Sequence, residues 1–148
     1  MLDVVFQNAT NDKSFRKDLF EKIIKAGIAE LGLDSKNIDI SINLVGEEKI
    51  QELNKKYRNK DKVTDVLSFP MIQDTRYKIH DLDLGDIFIC LPFAKKEAKS
   101  ENIDIDRKLA QLTVHGFLHL MGYDHEVSKE EEERMLKVEE LILSKLSF

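Results

Sequence analysis

The chain has 148 residues, of which 42% are hydrophobic and 34% are charged, and its formal net charge is −5 at pH 7. A chain of this length is the usual size of one domain and buries about 68–70% of the surface that its unfolded form exposes. We therefore predict a single domain over residues 1–148. The negative charge argues against a protein that coats nucleic acid non-specifically, because that mode depends on a broadly basic surface.

Membrane insertion, secretion and disulfide bonding are all disfavoured by the sequence. No stretch approaches the roughly 18 uninterrupted apolar residues of a membrane span. The first ten residues, MLDVVFQNAT, lack the basic start, long apolar run and cleavage site of a secretory signal. Cys90 is the only cysteine, which excludes an intrachain disulfide. We expect a cytoplasmic protein in a reducing compartment, without a membrane partner.

The first half of the chain combines three predicted strands with two predicted helices. Strands are indicated by alternating or continuous apolar residues, and helices by apolar residues three and four positions apart. In chain order, these elements are a strand over 2–7, a helix over about 14–31, a strand over 38–44, a helix over about 47–57 and a strand over 63–69. Pro70 is expected to end the last of these strands, because proline cannot donate to a sheet's hydrogen-bond ladder.

The second half is mainly helical after one further strand. A loop is expected over 71–83, followed by a strand over 84–91 and by helices over about 92–100, 105–121 and 129–146. Ser128 and Glu131 are in the register of a capping box at the start of the last helix. Strands mixed with helices, and a helical C-terminal third, predict an α+β fold with one mixed sheet of about four strands packed by about five helices.

Three of the four histidines fall in one short segment, HGFLHLMGYDH. His115 and His119 are four residues apart in a predicted helix, so both rings project from the same face. Gly122 is placed to end that helix with a left-handed residue, and the following turn would bring His125 toward the first two rings. Three nitrogen ligands with one open position are typical of catalytic zinc. The fourth histidine, His80, lies in the predicted loop and is not expected to take part.

The sequence therefore predicts one metal ion held by His115, His119 and His125, on a helix of the C-terminal region and the turn that follows it. Zinc is the first expectation, but three imidazoles also accept nickel, copper or iron. The spacing is similar to the zinc helix of metzincin proteases, HExxHxxGxxH, whose glutamate activates water. Gly116 stands at the position of that glutamate. The prediction of metal binding is unaffected by this difference, whereas a protease would lack the base that activates its water.

The histidine segment resembles the signature HGxLHLxGYDH of the YbeY family of bacterial endoribonucleases. The resemblance continues in LNKKYRNKDKVTDVLSFP, residues 53–70, and in LGDIFIC, residues 84–90. It covers essentially the whole chain. The resemblance implies a zinc-dependent, single-strand-specific endoribonuclease that acts in 16S rRNA 3′-end maturation and late 70S ribosome quality control. The implied partners are rRNA and the ribosome or its small subunit, with ribosomal proteins and GTPases as further candidates.

A cationic segment precedes the third predicted strand. Its members are Lys55, Lys56, Arg58, Lys60 and Lys62. The resemblance implies that Arg58 lines the active-site cleft, and a guanidinium suits bidentate binding of phosphate and stabilisation of charge on a phosphodiester. The simpler interpretation of the segment is a solvated basic turn. We predict a catalytic role for Arg58.

Asp124 is the second predicted catalytic residue. It is adjacent to His125 and could orient a ligand imidazole or accept a proton near bound water. The alternative is that its carboxylate caps the turn after the helix. Two other functions also remain open from the residues alone: a metalloprotease-like metallohydrolase, and a non-catalytic ribosome assembly factor that a metal stabilises.

Overall fold

A computed structural model describes residues 1–71 and 81–148, which contain four strands and five helices. In chain order these are β1 (Leu2–Asn8), α1 (Lys17–Glu30), β2 (Asn37–Val45), α2 (Glu47–Arg58), β3 (Val66–Pro70), β4 (Asp81–Cys90), α3 (Leu91–Glu101), α4 (Ile105–Leu120) and α5 (Lys129–Ser144). The predicted α+β class, with a mixed sheet and five helices, is confirmed. Within the described part of the chain, every helix is too short or too polar to cross a membrane.

The four strands form one sheet in the order β1-β2-β4-β3. β1 pairs with β2, and β2 with β4, in parallel, whereas β3 pairs with β4 in the antiparallel direction. The predicted alternation of β2 is present, since Ile38, Ile40 and Ile42 are buried at 1%, 2% and 0% exposure. β3 is left at an edge of the sheet, where side chains from neighbouring segments can reach over it.

Two apolar cores lie against the sheet. The larger one contains buried residues of α1, α4 and α5 together with the central strands, and the smaller one joins α2 to β3 and β4. α4 is close to α1, α3 and α5 as well as to β3 and β4. Phe117 of α4 is fully buried, and a Cβ at Gly27 of α1 would lie only 2.7 Å from its ring. Burying a phenylalanine contributes about 1.5–3 kcal/mol, so this contact helps to hold α4 in a fixed position against α1.

Three elements begin three residues away from the sequence expectation, and a side-chain hydrogen bond lies at each of these boundaries. β4 begins at Asp81, inside the expected loop over 71–83, and Asn37 Nδ2 donates a hydrogen bond of 2.8 Å to Asp81 Oδ1. β3 begins at Val66 rather than at 63, and Asp65 Oδ1 accepts from the Val66 N–H at 2.7 Å. Residues 72–80 of the expected loop, including His80, lie outside the described residues.

The start of α1 is the third such boundary. The helix begins at Lys17 rather than at Ser14. Asp12 Oδ1 accepts hydrogen bonds from the backbone N–H and the hydroxyl of Ser14, at 3.0 and 2.5 Å. This local turn already satisfies the polar groups that could have capped a helix beginning at Ser14. The helix α1 therefore begins three residues later, at Lys17.

Candidate metal centre

Two of the three histidines are placed by one turn of α4. His115 and His119 project from the same face, and their Nε2 atoms lie 3.0 Å apart. The helix is long, buried along most of its length and packed on the sheet, which fixes both side chains to a rigid element. The predicted pairing of these residues at helical spacing is therefore present in the fold.

A glycine turn brings the third histidine to the first two. Gly122 has a φ of +97°, a left-handed conformation that other residues rarely adopt, and it follows Met121, the C-cap residue of α4. The Gly122 N–H bonds to the His119 carbonyl at 3.0 Å, and the Tyr123 N–H bonds to the Leu118 carbonyl at 3.0 Å. The turn places the His125 ring centroid 5.3 Å from that of His115 and 5.1 Å from that of His119.

Hydrogen bonds behind two of the rings set their tautomers. His115 Nδ1 lies 2.7 Å from Glu139 Oε1, and His119 Nδ1 lies 3.0 Å from the carbonyl oxygen of Tyr123. An ionised carboxylate and a carbonyl accept but do not donate, so each Nδ1 carries the proton. The Nε2 lone pairs of His115 and His119 are thereby left free, and they face each other.

The three imidazoles fit a divalent transition metal. One ligand atom from each ring lies within 4.8 Å of the others, so the group could hold a metal ion. Two nitrogen ligands at 2.0–2.1 Å from a tetrahedral ion are about 3.3 Å apart, close to the 3.0 Å between the Nε2 atoms of His115 and His119. In addition, the buried Nδ1 of His125 has no hydrogen-bond partner among the residues that the structure describes.

Burial lowers the pKa of His119 below its ordinary value. The neighbouring rings of His115 and His125 lower this pKa further, while the hydrogen bond to Tyr123 and the charge of Asp124 raise it by less. A lowered pKa keeps the imidazole neutral near pH 7, and the neutral ring is the form that binds metal. The electrostatics and the geometry of the cluster thus favour the same chemistry.

The histidines lie in a cleft of about 540 Å³. Its walls come from the end of α2 and the segment leading into β3 on one side, from α5 and the histidine turn on the other, and from α4 between them. Arg58, the last residue of α2, lines this cleft, and its Nη2 donates to the Ser68 carbonyl at 3.3 Å. The structure therefore places Arg58 in the same cleft as the three histidines.

The predicted basic segment divides into two groups. Arg58, Lys60 and Lys62 line the cleft, and no carboxylate pairs with them within the described ranges. Lys55 instead lies 3.9 Å from Asp61, Lys56 Nζ lies 5.1 Å from the centre of the Tyr57 ring, and neither residue lines the cleft.

A buried amide holds the turn that carries the cleft lysines. Asn54 is 3% exposed, and its side-chain Nδ2 donates to the Lys62 carbonyl at 3.0 Å. The backbone carbonyl of Asn54 accepts from the Lys60 N–H at 3.2 Å. The turn is thus anchored to α2 from beneath, and the side chains of Lys60 and Lys62 are exposed. The backbone that presents these cations is fixed before any ligand binds.

Asp124 lies beside the histidines, in a smaller recess that also contains Arg58, His119 and His125. Its Oδ1 accepts from the Glu126 N–H at 2.8 Å, which is the turn-capping contact considered as the alternative. The hydrogen bonds to the His115 and His119 rings come from Glu139 and from the Tyr123 backbone instead. A catalytic role for Asp124 stays a prediction.

Sequence reasoning missed Glu139. It is one of several acids in α5, and no local spacing distinguishes it from the neighbouring Glu140. The packing of α5 on α4 selects it, because the side chain of Glu139 is 18% exposed and points to His115. Only the tertiary arrangement of two helices could have identified this contact.

Gly116 is buried against the sheet. A Cβ at this position would lie 3.1 Å from the Ile87 side chain of β4, tighter than ordinary van der Waals contact. A glutamate here would have to displace packed side chains of the core, which costs typically 1–3 kcal/mol. A side chain at the position that carries the catalytic base in metzincin proteases would therefore have to displace the Ile87 side chain in this fold.

The comparisons with known proteins agree over almost the whole chain. The family model described as "Endoribonuclease YbeY" matches residues 5–147. A protein named "Endoribonuclease YbeY" from Sulfurihydrogenibium sp. is 44% identical over 91% of this chain and 84% of its own. One of the same name from Aquifex aeolicus is 42% identical over 91% and 87%. The solution structure of TM1509 from Thermotoga maritima matches with a TM-score of 0.60 and 29% identity, over 97% of this chain and 91% of its own.

Proposed function

The chain belongs to the YbeY family of endoribonucleases, and we propose that it is a zinc-dependent endoribonuclease specific for single-stranded RNA, acting in 16S rRNA 3′-end maturation and late 70S ribosome quality control. His115, His119 and His125 are the proposed zinc ligands, and Arg58 and Asp124 the proposed catalytic residues. Residues 1–148 form the catalytic domain in this proposal. The observation that carries it is the presence of Arg58 and the three imidazoles in one cleft.

The chain's own residues have distinct tasks in the proposed reaction. When bound, zinc supplies Lewis acidity toward a phosphoryl oxygen and lowers the pKa of water toward about 7. Glu139 and the Tyr123 carbonyl hold the rings of His115 and His119 in place. The Arg58 guanidinium neutralises the negative charge that develops on the phosphodiester. Asp124 uses Oδ1 to hold its turn, and we assign proton acceptance to its second oxygen, Oδ2.

The charges of the cleft support a single-stranded substrate. Arg58, Lys60 and Lys62 outnumber the single carboxylate of Asp65 on the wall beside β3, whereas the opposite wall bears the carboxylates of Glu126, Glu139 and Glu140. One phosphate backbone can lie along the cationic wall. The second strand of a duplex would bring its phosphates toward the acidic wall, where like charges repel.

Ribosomal RNA is the proposed substrate, with the ribosome or its small subunit as the site of action and with ribosomal proteins and GTPases as partner classes. Family membership supports these assignments. The protein as a whole is acidic, with a net charge of −5, so its attraction to RNA must come from a local surface such as the Arg58 wall. A cytoplasmic location follows from this proposed substrate.

The proposal is tested with protein purified without chelators. Zinc is measured by elemental analysis, and cleavage is followed on single-stranded RNA, on duplex RNA and on ribosome-bound precursor 16S rRNA. The expected result is stoichiometric zinc, cleavage of the single strand and of the precursor, and little cleavage of the duplex. Arg107→Ala serves as a control, because Arg107 is exposed on α4 and lies outside the cleft lining.

Different failures would identify different alternatives. Casein cleavage that depends on His115, with inert RNA, would indicate a metallohydrolase acting on peptides. A chelator that unfolds the domain, combined with no RNA cleavage above background, would indicate a structural metal in an assembly factor. Full RNA cleavage by protein stripped of metal would contradict the assigned role of zinc.

A further inference from the structure

We propose that Glu139 is a positioning residue of the metal centre, which fixes His115 as a ligand and couples the docking of α5 to metal binding. The inference rests on the proposed metal site and adds a residue outside the histidine segment to it. Glu139 lies 24 positions after His115 in the chain. It reaches His115 from a different helix.

The contact has the geometry of a strong, charge-assisted hydrogen bond. Glu139 Oε1 is 2.7 Å from His115 Nδ1, and the side chains are 18% and 33% exposed, respectively. A half-buried carboxylate that accepts from Nδ1 holds the proton there, fixes the ring orientation and makes Nε2 a better electron donor. The free Nε2 of His115 then points at the Nε2 of His119, 3.0 Å away.

The three rings differ in what holds them. His115 is held by a carboxylate, His119 by the backbone carbonyl of Tyr123, and the buried Nδ1 of His125 by no group in the described residues. Only the first of these supports can be removed by changing one side chain. Glu139 is therefore the position at which ring orientation can be altered while every proposed ligand is kept.

The contact also links two helices. His115 belongs to α4 and Glu139 to α5, and the Glu139 carboxylate has its hydrogen-bond partner on α4. If this bond helps to hold the metal-binding arrangement, then metal binding must stabilise the docked position of α5 by the same free energy, because linkage is reciprocal. Zinc should therefore protect the backbone amides of α5 from hydrogen exchange.

The test compares Glu139→Gln and Glu139→Ala with Glu140→Gln. Glu140 is the adjacent residue, is exposed and also lines the cleft, so its variant removes the same charge without touching His115. Zinc affinity is measured by competition with a chromophoric chelator. Amide exchange over α5 is measured with and without zinc, and the His115 tautomer is measured by nitrogen NMR in the metal-free protein.

We expect Glu139→Ala to weaken zinc binding by about 10–100-fold and Glu139→Gln by less, with Glu140→Gln close to wild type. Zinc should slow exchange in α5 of the wild type, and this protection should be smaller in Glu139→Ala. The Nδ1–H tautomer of His115 should be lost or mixed with the other in that variant. A purely structural role would lower stability without changing the tautomer or the zinc affinity of the folded protein.

The inference is overturned if zinc affinity and the His115 tautomer are the same in Glu139→Ala as in the wild type. It is also overturned if Glu140→Gln weakens zinc binding as much as Glu139→Gln, because the effect would then be one of general charge. A wild-type protein that does not bind zinc would overturn the metal centre itself and this inference with it. These outcomes separate failure of the positioning role from failure of the proposed function.

Discussion

Two regions of the cleft carry their polar groups under different constraints. The histidines of α4 and of the turn after it are half-buried, and hydrogen bonds from other parts of the fold fix two of the rings. On the wall that leads into β3, Arg58, Lys60 and Lys62 are exposed, and their side chains are free of carboxylate partners in the described residues. A metal ion requires ligand atoms that point in fixed directions, whereas the attraction of a polyanion such as RNA requires mainly positive charges at suitable positions.

Lys108 is a buried cation outside the cleft lining, and its environment differs from that of the cleft cations. It lies on α4, its side chain is only 8% exposed, and it pairs with Glu101 at 2.7 Å and with Glu97 at 3.6 Å. A buried charge has to be paired, because its desolvation is costly. The cleft cations are exposed, so water can solvate them without a carboxylate partner and they remain available to a phosphate.

Loss of a ligand should have the largest effect. His119→Ala removes one of the three proposed ligands, and we expect loss of stoichiometric zinc and a fall of RNA cleavage to background. Elemental analysis and cleavage of single-stranded RNA on the same samples check this. Retention of both zinc and cleavage would contradict the assignment of His119 as a ligand.

Arg58→Ala should separate the role of Arg58 in cleavage from the role of the histidines in zinc binding. We expect cleavage to fall by about 10²-fold, because one charge-stabilising donor is lost from the transition state, while zinc content stays at the wild-type level. Arg58→Lys should restore only part of the rate, because an ammonium lacks the planar fork of the guanidinium. Single-turnover rates, with Arg107→Ala as the control, provide the measurement. Loss of zinc in Arg58→Ala would show that this wall also supports coordination.

Lys60→Ala and Lys62→Ala should weaken RNA binding with little change in the rate of the bound substrate. Affinity falls as salt rises, so log affinity has a negative slope against log salt concentration. Each variant should reduce the magnitude of this slope by about 0.7, the value for one phosphate contact on a single strand. Binding of a non-cleaved single-stranded RNA at several salt concentrations tests this. Lys49→Ala is the matched control, because Lys49 pairs with Glu52 on α2 at 3.7 Å and does not line the cleft. Equal slopes in all variants would argue against a phosphate track along this wall.

The smallest effect concerns the pH dependence of stability in the metal-free protein. Burial, followed by the neighbouring histidines, holds the pKa of His119 below its ordinary value, so the unfolded chain binds a proton there more readily than the folded one. This contribution to the free energy of unfolding is present above about pH 6.5 and is lost as the pH falls through the lowered pKa. Urea unfolding between about pH 7.5 and 5 should show a shallower decline for His119→Ala. Parallel curves for the two proteins would contradict this prediction.

Much of the molecule could be predicted from the sequence because the relevant patterns are local. Alternation identified β2, helical periodicity identified α4, and the spacing of His115, His119 and Gly122 predicted that the ligands would converge. These features depend on the fixed repeat of a helix or strand and on the conformational freedom of glycine, which act over a few residues. The location of Arg58 in the cleft came from family resemblance, not from a local pattern.

The tertiary structure decided what depends on contacts between distant segments. It paired Asp81 with Asn37 and so lengthened β4 beyond its apolar stretch. It also divided the basic segment into a cleft-lining group and a paired group, and it selected Glu139 from the acids of α5. The proposed ligands His115 and His119 were visible in the sequence because one helical turn aligns them, whereas the carboxylate behind His115 became visible only when α5 packed on α4.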